Sequence, residues 1–252
     1  MFIDTHCHLT DDYDGGIDNL IQNANNAGVG TMICATADPN DITPALEIAK
    51  KHDNIFVTTG IHPDYINYNP NDFLTDEILN NPYVIGIGEI GLDYHYNPQT
   101  RNEQIKLFET QLEIAKQHNM PVAIHTREAE EDTAAILTSE YQGVMHCFTS
   151  SWELAKIMLD RGFYFSASGI LTFKNSESIR ETFSKIPTNR IVIETDSPYC
   201  APVPYRGKTC EPYMVIETAK VLAQIKNLQI DELETILFEN TKRLYPKCHV
   251  KL

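Results

Sequence analysis

The chain opens Met1-Phe2-Ile3-Asp4-Thr5-His6-Cys7-His8, an apolar start that runs directly into a carboxylate and two imidazoles. Side chains alternate faces along an extended segment, so Asp4, His6 and His8 project to one side. Two imidazoles and a carboxylate on one face, at the end of a strand, are how a divalent-metal site begins. In a chain with 9 His among 252 residues a His-x-His arises about 0.3 times by chance, so its meaning depends on what the rest of the chain delivers. Its place also bears on the fold. An open, doubly wound sheet would carry a Gly-rich phosphate turn after the first strand, and Thr5-His6-Cys7-His8 stands there instead.

Outward from this stretch, strand-like and helix-like runs alternate. Strands are expected at about residues 2–6, 31–35, 55–60, 84–88, 121–125, 143–145, 164–167 and 191–195. Helices are expected at about 16–27, 44–52, 73–79, 102–118, 128–137, 151–161, 176–185, 213–225 and 231–244. The clearest is 102–118, where Ile105, Phe108, Leu112 and Ala115 form one apolar stripe. Gly28 suits the end of the first helix and Pro44 the start of the second. Eight strands alternating with helices give the order of a (β/α)8 TIM barrel, and the length fits one such domain over residues 1–252.

The bulk properties narrow the classes. Hydrophobic residues make up 42%, enough for one large core, and no run of 18 apolar residues would span a membrane. The N-terminus shows no basic region followed by an apolar stretch, and the 6 cysteines contain no Cys-x-x-Cys pair. The expectation is a cytoplasmic protein with reduced thiols, no membrane association and no obligate protein partner. A net charge of −15 opposes general attraction to nucleic acid. It still allows a phosphate-bearing substrate where divalent ions and a few Arg or Lys reverse the local potential.

Active sites of such barrels lie at the strand C-terminal ends. There the chain places His6 and His8 after the first strand, Glu89 after the fourth, His125 after the fifth, His146 after the sixth and Asp196 after the eighth. Four imidazoles and two carboxylates suffice for two divalent ions if one carboxylate bridges them. By alternation, Asp4 shares a side with His6, Glu194 with Asp196 and Arg127 with His125. Asp4 and Glu194 are therefore candidates for orienting the ligand imidazoles. Arg127 stays protonated, so its guanidinium suits a phosphate or carboxylate on the substrate. Cys7, between two ligand positions, points to the opposite face and packs.

Nine stretches of the chain resemble the TatD family of metal-dependent hydrolases, within the amidohydrolase-like barrels. They are Phe2-Ile-Asp-Thr-His-Cys-His-Leu9, Gly60-Ile-His-Pro63, Gly88-Glu-Ile-Gly-Leu-Asp-Tyr-His95, Pro121-Val-Ala-Ile-His-Thr-Arg127, Met145-His-Cys-Phe-Thr149, Ser168-Gly-Ile-Leu-Thr-Phe-Lys174, Ile193-Glu-Thr-Asp-Ser-Pro198, Ala201-Pro-Val-Pro-Tyr-Arg-Gly-Lys208 and Glu239-Asn-Thr-Lys-Arg-Leu244. The resemblance implies two divalent ions, one held by His6, His8, Glu89 and Asp196 and the other by Glu89, His125 and His146. It also implies phosphodiester hydrolysis on DNA, 3′-5′ exonuclease-like. The chain departs from the family pattern at Cys200, Thr209 and Cys210, where Leu, Arg and Asn are expected, and at Ser150, where Gly is usual. The lost Arg bears on substrate grip more than on the metals.

The expected activity is that of a divalent-metal-dependent hydrolase, most simply a DNase on single-stranded DNA acting through a metal-bound hydroxide. Asp196 and Glu89 carry the catalytic roles, with Asp196 accepting the proton. His62, Arg127, Arg206 and Lys208 bind substrate charge, with Lys174 a further candidate, and Tyr94, Tyr205 or Phe173 stack an unpaired base. The ions are Zn, Mg or Mn: imidazoles favour Zn or Mn, while the carboxylates leave room for Mg. The rival is ester or amide hydrolysis, such as D-aminoacyl-tRNA deacylation, because the same hydroxide attacks a carbonyl. A non-catalytic barrel that only binds is a third reading, opposed by six intact ligand positions.

Overall fold

Eight short runs rich in Val, Ile and other apolar residues become strands that are buried on both faces. In the computed structural model, which describes residues 1–249, they are β1 (Phe2–Cys7), β2 (Val29–Ala35), β3 (Ile55–Thr59), β4 (Val84–Asp93), β5 (Val122–Arg127), β6 (Gly143–Met145), β7 (Tyr164–Ala167) and β8 (Ile191–Ile193). Every neighbouring pair from β1 to β8 is parallel and in sequence order. Helices return the chain between strands: α1 (Gly16–Asn26), α2 (Ile42–Lys51), α3 (Asp76–Leu79), α4 (Arg101–Gln117), α5 (Glu130–Ile136), α6 (Trp152–Asp160), α7 (Glu177–Lys185) and α8 (Val215–Lys226), with α9 (Ile230–Leu244) closing the series. This is the expected (β/α)8 barrel.

The seam between β8 and β1 is tied by single bonds. The Asp196 amide donates to His6 O at 2.9 Å, and the His8 amide to Ser197 O at 2.8 Å. Below them the buried Asp4 carboxylate accepts from the Thr195 amide at 2.9 Å and from its hydroxyl. The same bonds that close the barrel therefore set the first two histidines against Asp196. Asp4 does not orient an imidazole, as simple alternation suggests it would. The pairing of β1 with β2 shifts register between Asp4 and Cys7, which interrupts the alternation, and Thr195 occupies the carboxylate.

Two apolar layers follow from the strand period. One contains Cys7, Val57, Ile87, Ile124 and Ile193 and meets the inward stripes of the helices, including Phe108, Leu112 and Ala115 of α4. The other fills the barrel axis with one residue from each of β2 to β8: Ile33, Phe56, Ile85, Ala123, Val144, Tyr164 and Val192. Leu244, Tyr245 and Cys248 plug its lower end.

The main departure from expectation is β4. It does not stop before Glu89 but continues to Asp93, because Ile90 and Leu92 are fully buried and pair onward with β5. Between Ile87 and Ile90 the strand advances three residues while β5 advances two, from Val122 to Ile124. Glu89 thus sits in mid-strand on a bulge, a device that re-aims a side chain. At Gly91 a Cβ would lie 1.9 Å from His125 O, so only glycine permits the two strands to close beside the bulge. β8 ends at Ile193, two residues early, because Glu194 and Thr195 already turn toward site and seam.

Tyr245 is fully buried, and its hydroxyl has no hydrogen-bond partner among the described residues. Tyr245→Ala should cost about 3–5 kcal/mol of unfolding free energy, as large buried aromatics do. Tyr245→Phe should be neutral or stabilising, because it removes an unpaired polar group. Urea unfolding of both variants checks this; equal losses would contradict it.

Candidate metal centre

At the C-terminal ends of the strands Glu89 is the hub. The carboxylate is buried at 5% exposure, yet four site imidazoles turn a nitrogen toward it. Oε1 lies 2.8 Å from His125 Nδ1 and 3.1 Å from His146 Nε2; Oε2 lies 3.5 Å from His6 Nε2 and 3.7 Å from His8 Nε2. Asp196 stands across the gap, with Oδ1 3.5 Å from His8 Nε2 and 4.0 Å from His6 Nε2. The six residues drawn from five strands therefore meet at one place. His6, His8 and Glu89 form one group whose ligand atoms all lie within 4.8 Å of one another; Glu89, His125 and His146 form another, and His6, His146 and Asp196 a third.

Two of the imidazoles, His8 and His125, have their outward nitrogens hydrogen-bonded, and His146 has its own beside a carboxylate. His8 Nδ1 donates to Ala35 O at 3.1 Å. His125 Nε2 lies 3.0 Å from Asp93 Oδ2. His146 Nδ1 is 2.9 Å from Glu194 Oε1, close but not aligned as a hydrogen bond. Each arrangement leaves the other nitrogen facing Glu89, as a shared metal ligand would require. His6 Nε2 is buried with no hydrogen-bond partner among the described residues. An orphaned imidazole nitrogen beside two carboxylates costs desolvation energy that a cation would recover. The donor set therefore fits divalent cations.

The electrostatics agree. Burial works against ionised Glu89, but His146, His62 and His125 outweigh it and hold its pKa well below the carboxylate range. Burial lowers His125, yet Asp93 and Glu89 push it up to about 9. His146 is likewise raised, burial being overcome by Glu194 and Glu89. His6 goes the other way, lowered by burial and by His146, whose ring stacks on it at 3.8 Å between centroids. Asp196 is held down by His8 and His146 against its burial.

Above these groups opens a cavity of about 770 Å³. His62 and Arg127 line it; Arg206 and Lys208 do not, and both are exposed. His62 accepts the Asp64 amide at Nδ1 and turns Nε2 to within 3.7 Å of Glu89 Oε1. Arg127 has no carboxylate partner among the described residues and lies over the Tyr96 ring at 4.8 Å. The neighbouring Glu128 pairs instead with His95. Arg206 stacks on Phe173 at 3.8 Å, and Lys208 lies near Tyr205. Tyr94 donates its hydroxyl to Asp132 and is not part of the cavity wall.

Five contributors carry no clear mark in the sequence. Asp93 follows Glu89 by four residues on the same strand, so counting alternate positions beyond Glu89 would have reached it. Tyr96 and Tyr199, exposed at 64% and 59%, line the cavity from loops, where no periodicity marks them. The buried pair Gln104 and Gln111 lie on α4 among its apolar residues. Gln111 brackets Ile61 beside His62, and Gln104 brackets Asp93, each through backbone N–H and C=O.

Comparison with known proteins places this geometry. A family model described as TatD related DNase matches residues 3–246. The chain is 37% identical to the uncharacterized metal-dependent hydrolase YabD of Bacillus subtilis (strain 168), over 97% of this chain and 99% of that protein. It is 37% identical to YcfH of Escherichia coli (strain K12), also described as a metal-dependent hydrolase, over 97% and 96%. Among solved structures, the TatD homolog YJJV of Escherichia coli K12 superposes with a TM-score of 0.88 at 27% identity, covering 97% of this chain and 98% of that one. A TatD family hydrolase of Entamoeba histolytica gives 0.84 at 26%, covering 97% of each chain.

A pH profile tests the electrostatics. An imidazole raised in the fold stabilises it fully below the ordinary value of 6.5 and loses that contribution as pH rises through about 9, as for His125. Asp4, raised by burial to about 8, loses stability with rising pH in the same sense. The metal-free protein should therefore show a Tm that falls between pH 6.5 and 9. Divalent ions, which replace the imidazole proton opposite Glu89, should make the decline shallower. Circular dichroism melts with and without chelator read this, and identical profiles would contradict it.

Proposed function

The chain belongs to the TatD family of metal-dependent hydrolases, and on that premise we propose that it hydrolyses phosphodiester bonds of single-stranded DNA from an end. The observation that carries this reading is an uncompensated guanidinium, Arg127, on the wall above a buried set of imidazoles shared by Glu89. In a chain of net charge −15, a guanidinium left without a carboxylate partner on that wall suits an anionic substrate. His6, His8, Glu89 and Asp196 would hold one divalent ion, and Glu89, His125 and His146 the other. Zn, Mn or Mg suits this mixture of imidazole and carboxylate. When bound, such ions lower the pKa of water toward about 7 and polarise a phosphoryl oxygen.

The protein's own groups supply the remaining steps. Asp196 is ionised, faces the reaction space and accepts the proton of the attacking water. Glu89 keeps four imidazoles in register and balances their charge. Arg127 and His62 take the charge of the phosphate that is cleaved and of the one beside it. Tyr96 and Tyr199 at the cavity mouth offer faces for unpaired bases, worth about 1–3 kcal/mol each. Arg206 and Lys208 lie farther out and would contact the strand beyond the cavity. An unpaired strand end leaves its bases free to lie against Tyr96 and Tyr199. Cleavage of a carboxylic ester such as a D-aminoacyl-tRNA uses the same groups, with a carbonyl carbon in place of the phosphorus.

A side-by-side assay separates the two. Metal-loaded protein should shorten single-stranded DNA progressively and leave a D-aminoacyl-tRNA intact. Release of the amino acid without DNA cleavage would transfer the function to ester hydrolysis; activity on neither would overturn both. His125→Ala should abolish cleavage, and unchanged activity would remove the reaction from this site. Arg127→Ala should lower kcat/KM on DNA by about 10–150-fold, the worth of a charged hydrogen bond of about 1.5–3 kcal/mol. Arg206→Ala and Lys208→Ala should each cost less than about tenfold, as exposed charges do. Asp93→Asn should lower activity or metal affinity by about 10–100-fold through His125.

A further inference from the structure

Two thiols stand beside the metal centre and have no part in the reading above. Cys147 follows His146 at the end of β6, and Cys200 lies in the loop after β8, four residues beyond Asp196. Both line the cavity and are only partly buried, whereas Cys7, Cys34, Cys210 and Cys248 are buried. One sulfur from each and one Asp196 oxygen lie within 4.8 Å of one another. Asp196 divides its two oxygens between neighbours. Oδ1 faces His8 and His6, and Oδ2 lies 3.5 Å from Cys200 Sγ. Cys147 Sγ is 3.1 Å from the hydroxyl of Ser168, a residue at 4% exposure.

We propose that Cys147, Cys200 and Asp196 form a separate, sulfur-rich site for one thiophilic divalent cation such as Zn²⁺ or Cd²⁺, on the flank of the main centre. The donor chemistry selects the ion. Thiolates favour soft cations over Mg²⁺ or Mn²⁺, and two sulfurs with one oxygen leave a coordination position open to the cavity. Binding forms two metal–sulfur bonds and breaks two S–H bonds, whose protons pass to solvent; nothing is oxidised or reduced. The setting is favourable for a cation, because Asp11, Asp38 and Asp41 also line the cavity.

The backbone is arranged around this cluster. Cys147, Asp196 and Cys200 adopt positive φ of 41°, 59° and 54°, a conformation that side-chain-bearing residues avoid and that concentrates at functional sites. Cys147 and Asp196 adjoin or belong to the main centre, which accounts for theirs. Cys200 holds no ligand there, and its own strained turn places its sulfur against Oδ2. The inference concerns cation binding and is independent of the DNA reading.

The test uses the full chain, metal-stripped and kept reduced with a non-thiol reductant, titrated with Cd²⁺. The ultraviolet thiolate-to-Cd²⁺ charge-transfer band is followed for wild type, Cys200→Ser and Cys147→Ser. Wild type should show the band saturating with one sulfur-bound ion per chain, and each variant should lose it. Elemental analysis after Mn²⁺ loading should give the same Mn²⁺ content for Cys200→Ser as for wild type, which shows an intact fold and main centre. If Cys200→Ser does not fold, Cys147→Ser alone decides. No band in wild type, or a full band in a folded variant, would overturn the proposal.

Discussion

A buried carboxylate among imidazoles is the constraint from which the rest follows. Glu89 cannot remain ionised at 5% exposure unless positive charge surrounds it. Four site imidazoles from the ends of β1, β5 and β6 provide it in the absence of ions, and their raised affinity for protons, His6 excepted, records the strength of that demand. A proton on a histidine and a divalent cation between histidines answer the same electrostatic need. On the function proposed above, the site would exchange one for the other, with Ala35, Asp93 and Glu194 beside the outward nitrogens of His8, His125 and His146.

The architecture that brings these groups together is economical in its connections. The bonds from the Asp196 amide to His6 and from the His8 amide to Ser197 close the barrel and bring His6, His8 and Asp196 together in one act. The bulge at Glu89 swings a mid-strand side chain into line with groups at strand ends. Gln104 and Gln111 then tie α4 to the end of β4 at Asp93 and to the loop that carries His62.

Much of this was legible in the chain alone. The alternation of apolar runs with amphipathic ones carried the barrel, because periods of 2 and 3.6 are visible without coordinates. The six candidate ligands were legible because each ends or follows an apolar run. What escaped was whatever breaks a period. A register shift between Asp4 and Cys7 interrupts the alternation that would aim Asp4 at an imidazole, and a bulge at Glu89 carries β4 past what reads as its end. Tyr96 and Tyr199 lie on loops, where position depends on packing and not on spacing. Gln104 and Gln111 read as breaks in an apolar stripe, yet they are satisfied inside it. Arg206 and Lys208 show the reverse case: a motif near the site in sequence whose side chains lie outside the cavity wall.

The central claim is that Glu89 lies between two cations. Anomalous diffraction from crystals soaked in Mn²⁺ tests it most directly, because the signal locates ions without reference to activity. Two peaks flanking Glu89, about 3.5–4 Å apart, with His6, His8 and Asp196 on one side and His125 and His146 on the other, are the expected result. A single peak that Glu89 does not touch, or none within reach of His125 and His146, would contradict it.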